Sequence, residues 1–355
     1  MRSRLTLTRL NAALDYPNQT PKQHTENKKN MAHNIGKRDQ QTGVKLAWHG
    51  LTNVVENITR ENCGIVYGMK TQPLYIRRDD EWHEIEARQI VSQDDGLPVG
   101  RPVSDSYKMI ANSEIWDAVG GAIEGTQHKV VSCGTVLNRS LGFVSVKVSD
   151  DFIAAGRATQ SVLNVLWGHG GNKGVVARSG FTVVVCQNTY NRAMTERSDF
   201  KLSMRHTTNA NVLDLGRAIE AHIGVQAEFR MAMNELHEMP ATEETAKRIY
   251  AGLLAEETPN TAAGKTRISN VVDCMTELFR TGKGNKGETM ADVFNGLTDY
   301  YSHGRNPANP WKQFVSSEFG SGANHKTQAM DVMINTYRLA DVIQQGKAVL
   351  ADLKN

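Results

Sequence analysis

The densest run of chemistry-bearing side chains lies between Arg178 and His206. A β-branched run, Phe181-Thr182-Val183-Val184-Val185-Cys186, leads straight into Gln187, Asn188, Thr189, Tyr190, Asn191 and Arg192. Arg197, Lys201, Arg205, His206 and Thr207 follow. Arg and Lys make sequence-blind contacts to phosphates, Asn, Gln and Thr add hydrogen bonds to sugar or phosphate, and the Tyr190 ring can stack on an unpaired base. On that chemistry Arg178, Gln187, Asn188, Tyr190, Arg192, Lys201, Arg205 and His206 form a nucleic-acid contact surface. The same residue types also serve structure: Asn and Thr cap helices, and Arg192 can pair with Glu196 at i, i+4.

Other motifs carry less. Ala263-Gly264-Lys265-Thr266 has the end of a phosphate-binding loop, but Pro259 stands where its first glycine belongs and no strand precedes it. Gly282-x-Gly284-x-x-Gly287 matches the dinucleotide fingerprint, yet it follows a helix and has no βαβ unit around it, so it reads as a helix-to-helix loop. His49, His169 and His206 sit beside unusual local sequence, but no ligand pair falls at helical spacing, so neither a metal nor a cofactor is expected. Cys63, Cys133, Cys186 and Cys274 are far apart and read as buried thiols in a reducing cytoplasm. Cys186, at the end of an apolar strand, reads as packing rather than as a nucleophile.

The elements that must position these residues follow from periodicity. Residues 181–186 read as a central strand buried on both faces. Residues 130–148 read as a hairpin, with Val144, Val146 and Val148 alternating against Ser145 and Lys147 around an Asn138-Arg139-Ser140 turn. Pro73-Leu74-Tyr75-Ile76-Arg77 is a further strand, and Asp94-Asp95-Gly96-Leu97-Pro98 a turn. Asn112 or Ser113 caps a short helix over 114–123. After Asn209, apolar residues at Val212, Leu215, Ile219, His222/Ile223, Phe229, Met233 and Leu236 predict one long amphipathic helix ended by Pro240. Helices are also predicted over 241–255, 268–280, 289–301 and 328–352. Strands first and helices second predict an α+β fold: an antiparallel β-rich N-terminal and central part, a long amphipathic helix, then a helical C-terminal part.

At 355 residues, with 39% hydrophobic and 22% charged side chains, the composition is that of a folded globular protein and excludes fibrous, disulfide-scaffold and membrane-spanning classes. Residues 1–30 are expected to be an unpacked tail or upstream extension, residues 31–210 a β-rich core domain, and residues 211–355 a helical part packed on it. The net charge of +3 hides alternating blocks: +6 over 1–50, −6 over 51–127, +6 over 128–208 and −3 over 209–355. The basic central block holds the strand exit and suits a phosphate backbone.

Met31-Ala32-His33, Trp48-His49-Gly50-Leu51, Val184-Val185-Cys186-Gln187-Asn188-Thr189, Arg205-His206-Thr207 and Tyr300-Tyr301-Ser302-His303 occur in this order. In these elements the chain resembles, over about residues 31–340, the phage/plasmid-like family catalogued as domain of unknown function 932. The residues carrying the resemblance are Trp48, His49, Gly50, His169, Cys186, Thr189, Thr207 and His303. Many members have an S-H-D-G-like stretch where this chain reads Gly168-His169-Gly170-Gly171, which removes the carboxylate that could share a metal with His169. The resemblance makes Met31 the natural start. It implies a phage, prophage or plasmid setting and a host-cytoplasmic location, and no catalytic residues. The leading expectation is a nucleic-acid-binding protein, acting on single-stranded DNA in recombination or replication, with self-association allowed and no membrane partner. The alternatives are an enzyme acting on nucleotides or nucleic acid through His49, His169 or His206, and a host-takeover or counter-defence protein that works by binding a host protein.

Overall fold

The computed structural model describes residues 38–45, 52–170, 174–183, 189–193, 203–204, 215–257, 261–305, 313, 316–318 and 320–353. For 183, 189–193, 203–204 and 215 only the backbone is described. The expected N-terminal tail and Met31 lie outside these residues. The strands are β1 Gln41–Gly43, β2 Asn53–Val54, β3 Met69–Arg78, β4 Glu81–Ser92, β5 Val103–Ser104, β6 Lys129–Val136, β7 Leu141–Lys147, β8 Phe152–Ala154, β9 Arg157–Gly168, β10 Val175–Val183, β11 Thr189–Ala193 and β12 Ser203–Met204. Among the described residues a single helix, α1 Asn112–Ile123, interrupts them. The helices then follow in series: α2 Leu215–Glu238, α3 Glu243–Leu253, α4 Ala262–Thr281, α5 Met290–Asp299, a π-helical turn Tyr300–Gly304, α6 Ser321–Met333 and α7 Thr336–Asp352. The fold is α+β, with the strands first and most of the helices second.

Nine strands form one sheet in the order β11-β10-β9-β7-β6-β1-β2, with β12 on the β11 side of β10 and β8 beside β9. All pairs are antiparallel except β1 with β2. Alternation sets the two faces. Cys133, Val144, Val165 and Ala177 lie in one register row across β6, β7, β9 and β10, and all are buried under Ile115 and Val119 of α1 and Ala218 and Ile219 of α2. The hairpin over 130–148 is present as β6 and β7. Its turn takes four residues, 137–140, one more than expected, and Leu137, Asn138 and Arg139 all have positive φ. Asp39 holds that left-handed run: its carboxylate accepts the Asn138 amide at 2.9 Å and the Arg139 amide at 2.7 Å.

Two expectations are corrected. The strand over 181–186 begins earlier, at Val175, and its described part ends at Val183. Phe181 is buried, but Val176, Arg178 and Thr182 are only half-buried, so one face of β10 is not sealed. The helix over 328–352 is two helices, since the Asn335 side chain accepts the Arg338 amide at 3.1 Å and starts α7 afresh.

The long helix α2 joins the sheet to the helical layer. Its Phe229 stacks on Phe181 of β10 at 4.3 Å between centroids, and Phe152 of β8 meets both rings edge-on. Two turns back, His222 is fully buried against the sheet: Nε2 lies 2.7 Å from the Ser161 hydroxyl of β9 and Nδ1 2.8 Å from the Ser179 hydroxyl of β10. Burial, helped by the charge of His128, pushes its pKa down to about 4. Below about pH 6.5 the unfolded chain takes up a proton that the folded chain refuses. Stability should therefore fall as pH drops from about 6.5 to 4, by on the order of 3 kcal/mol for this group. Urea unfolding at pH 7 and pH 5 should show about 2 kcal/mol of that loss, and His222→Gln should show less of it.

Helices α3 and α7 cross backbone to backbone at Gly252 and Gly346, with room for no side chain between them. A second sheet, β3-β4-β5, stands apart in pairing. Its strands β3 and β4 form a long two-stranded ribbon turned by Asp79 and Asp80, both with positive φ as a tight hairpin turn requires. The ribbon is rooted by Ile90, Val99 and Val103 and exposed toward its tip.

Candidate nucleic-acid interface

The face of the nine-stranded sheet opposite α1 and α2 carries a polar row. Register places Gly43, Ser132, Ser145, Asn164, Arg178 and Ala193 directly opposite one another across β1, β6, β7, β9, β10 and β11. Directly opposed residues share a face. Ser145 donates to Asn164 Oδ1 at 2.5 Å, and Gln41 Nε2 donates to Ser132 Oγ at 3.3 Å, which ties the row laterally. Ser132, Ser145, Asn164 and Arg178 are half-buried, as are Val162, Leu166 and Val176 around them. The row is thus a shallow mixture of apolar and hydrogen-bonding groups with Arg178 as its cation.

That cation, Arg178, is held in an unusual state. Its Nε is buried and meets no hydrogen-bond partner among the described residues, and burial pulls its pKa below the ordinary arginine value. A guanidinium so placed has lost hydration without gaining a carboxylate, and an anion would restore both.

Register separates this residue from its expected companions. In β11, Ala193 stands opposite Arg178, Asn191 opposite Gly180, Arg192 opposite Ser179, Tyr190 opposite Phe181 and Thr189 opposite Thr182. Trp48, His49, Gly50, Cys186, Gln187, Asn188, Lys201, Arg205, His206 and Thr207 lie outside the described residues. His169 is a buried structural histidine. Asn112 Nδ2 donates to the Ile65 carbonyl, so Asn112 Oδ1 accepts from both Trp167 Nε1 and His169 Nε2, each at 2.8 Å. Asn112, read as a helix cap, is drawn inward by this network, and the Glu114 side chain takes the Ala111 amide instead. Among the described residues no three His, Cys, Asp or Glu side chains converge as for a metal ion. Cys63 and Cys133 are buried thiols as read, but Cys274 is exposed.

A second polar cluster was not expected. The Tyr300-Tyr301-Ser302-His303 element forms the π-helical turn, with His303 half-buried, and α6 packs against it. Lys326 of α6 is fully buried, its ammonium 2.9 Å from Ser317 Oγ, 3.4 Å from Ser302 Oγ and 4.0 Å from the Glu318 carboxylate. Burial pushes its pKa down to about 8, against the pull of Glu318. Tyr301 stacks on His325 at 4.8 Å, and the Arg305 guanidinium lies over the same ring at 5.4 Å. The signal was available: Lys326 falls on the helical stripe of Ala323, Ala329, Met330 and Met333, where a lysine needs partners. Helix α6 also packs against β11, so this cluster and the β10–β11 pair are neighbours through one helix.

The phosphate-loop look-alike is spent on structure: the Thr261 hydroxyl accepts the Gly264 amide, and Lys265 pairs with Asp352 at 2.7 Å. No described helix is long and apolar enough to cross a membrane.

Compared with known families, residues 101–341 match the model described as "Domain of unknown function (DUF932)". The match holds the polar row from Ser132 to Ala193 and the Lys326 cluster. It begins well after residue 31, leaving the Trp48-His49-Gly50-Leu51 element and the ribbon ahead of it. No curated protein and no solved structure matches the chain.

Proposed function

The chain belongs to the family of that domain of unknown function, and from this premise we propose that it binds nucleic acid, single strands in preference to duplex, along the face of the nine-stranded sheet that carries the polar row. The observation that supports this most is Arg178, a desolvated guanidinium at the end of a row of hydrogen-bonding side chains. Phosphate supplies the missing anion, and Ser145 and Asn164 offer hydrogen-bonding groups to sugar or base edges. A broad sheet face does not enter a duplex groove, which takes a helix or a two-stranded ribbon, but it can lay out a single strand. The +6 balance of residues 128–208 supports the same reading. In this proposal Gln187, Asn188, Lys201, Arg205 and His206 add contacts from the following segment, whereas Tyr190 and Arg192, paired with Phe181 and Ser179, lie on the other face of β11 and take no part; the protein serves phage or plasmid recombination or replication in the host cytoplasm.

The test is anisotropy of a labelled single-stranded oligonucleotide across a salt series. Affinity should fall linearly in log–log terms with a slope of about −0.7 per phosphate neutralised. Arg178→Ala should weaken every sequence alike and flatten the slope by about 0.7. If the parent binds neither DNA nor RNA at about 50 mM salt, where such contacts are strong, the proposal fails and the protein-binding alternative takes its place.

A further inference from the structure

The β3–β4 ribbon is more exposed than its stability allows for a strand pair on its own. Among the described residues its only other strand partner is β5, which pairs at Ala87 and Arg88 near the root. Toward the tip nothing among the described residues covers it, and an isolated hairpin is marginal in water. Register puts Arg77 opposite Trp82 and Tyr75 opposite Glu84, so these four side chains share one face. Trp82 is 69% and Tyr75 50% exposed, an aromatic pair of the kind that anchors interfaces.

We propose that this face is a self-association surface, docking against the same face of a second copy of the chain. Charge selects the occupant. The outer half of the ribbon carries Asp79, Asp80, Glu81, Glu84 and Glu86 against Arg77 and Arg78, so it repels a polyanion such as nucleic acid or an acidic lipid surface. It is complementary to itself. The four residues form a square in which Arg77 and Glu84 occupy one diagonal and Trp82 and Tyr75 the other. A two-fold axis along the aromatic diagonal crosses the two ribbons near a right angle, one of the favoured angles for sheet packing. That operation lays Trp82 on Trp82 and Tyr75 on Tyr75 and brings each Arg77 over Glu84 of the second copy, closing an isologous contact. Arg77 is free to re-pair, because its ion pair with Asp80 at 2.6 Å is solvent-exposed and therefore weak. Four residues a side are fewer than a standard interface uses, so the dimer is reversible and concentration-dependent.

Sedimentation velocity of the full chain across micromolar concentrations should show a monomer–dimer equilibrium. Trp82→Ser should give monomer with an unchanged thermal midpoint. Arg77→Glu and Glu84→Arg should each weaken self-association by more than about tenfold, since each sets like charges opposite one another. Mixing the two variants should restore a dimer, because only the mixed pair places opposite charges at both contacts. A parent that stays monomeric throughout, a Trp82→Ser variant that still dimerises, or a mixture that does not recover would each overturn the proposal.

Discussion

Gly346→Ala is expected to destabilise the protein by about 3 kcal/mol, at the upper end of what overpacking costs, although alanine is the better helix former. An added Cβ at 346 would stand 1.7 Å from the Arg248 carbonyl oxygen, and one at 252 would stand 2.0 Å from the Val342 carbonyl oxygen. Neither obstacle is a side chain that can turn away. Helices α3 and α7 would have to separate along their whole crossing, giving up contacts on both flanks. Gly252→Ala should cost a similar amount, and the double variant less than the two together, since one separation accommodates both methyls. Gly224→Ala in α2 is the control: nothing lies within 4 Å of its added Cβ, and it should gain about 0.5–1 kcal/mol. Urea midpoints for the four variants decide the matter, and the opposite signs at 224 and 346 are the test.

Asp292→Ala is expected to cost about 3–5 kcal/mol, the usual consequence of stranding one member of a buried ion pair. Asp292 Oδ1 meets Arg157 Nη2 at 2.6 Å where the two side chains are only 3% and 11% exposed. Its Oδ2 accepts the backbone amides of Glu288 at 3.1 Å and Thr289 at 3.3 Å and so fastens the start of α5. Arg157, at the beginning of β9, also donates to the Gly284 carbonyl in the loop before that helix. One carboxylate thus ties sheet to helices and caps a helix. Asp292→Asn keeps an acceptor for the amides and should fall between parent and alanine variant. Arg157→Met combined with Asp292→Asn should recover part of the loss, because no unpaired charge remains. An alanine variant as stable as its parent would show that the pair is solvated in solution.

The elements legible in the sequence were those whose period is strong. Val144, Val146 and Val148 announced β7, and the three-and-four spacing from Leu215 to Leu236 announced α2. The early half of β10 was hidden because Arg178, Ser179 and Gly180 break its apolar run, and that half carries the candidate anion site. His222 and Lys326 could be read as members of apolar stripes, but their hydroxyl partners, Ser161 and Ser179 in one case and Ser302 and Ser317 in the other, come from distant segments that no local pattern connects. Asn112 was misread for the same reason: a cap is a local inference, and Trp167 and His169 act on it from 55 and 57 residues away. The break between α6 and α7 depends on a single asparagine whose capping role competes with continuous helical spacing.

The position of β1 in the sheet bears on the order of assembly. The β6–β7 pair closes through a four-residue turn, and β9 and β10 add to it as near neighbours in sequence, whereas β1 reaches β6 only by closing a loop of about 90 residues, from Gly43 to Ser132. Closing the longer loop costs about 3 kcal/mol more in chain entropy. The meander can form by itself before β1 arrives, so β1 and β2 join late and part first. Until they join, the outer edge of β6 is an open row of amides and carbonyls. A nascent chain is therefore exposed to strand addition by another copy at β6 for as long as that loop stays unclosed.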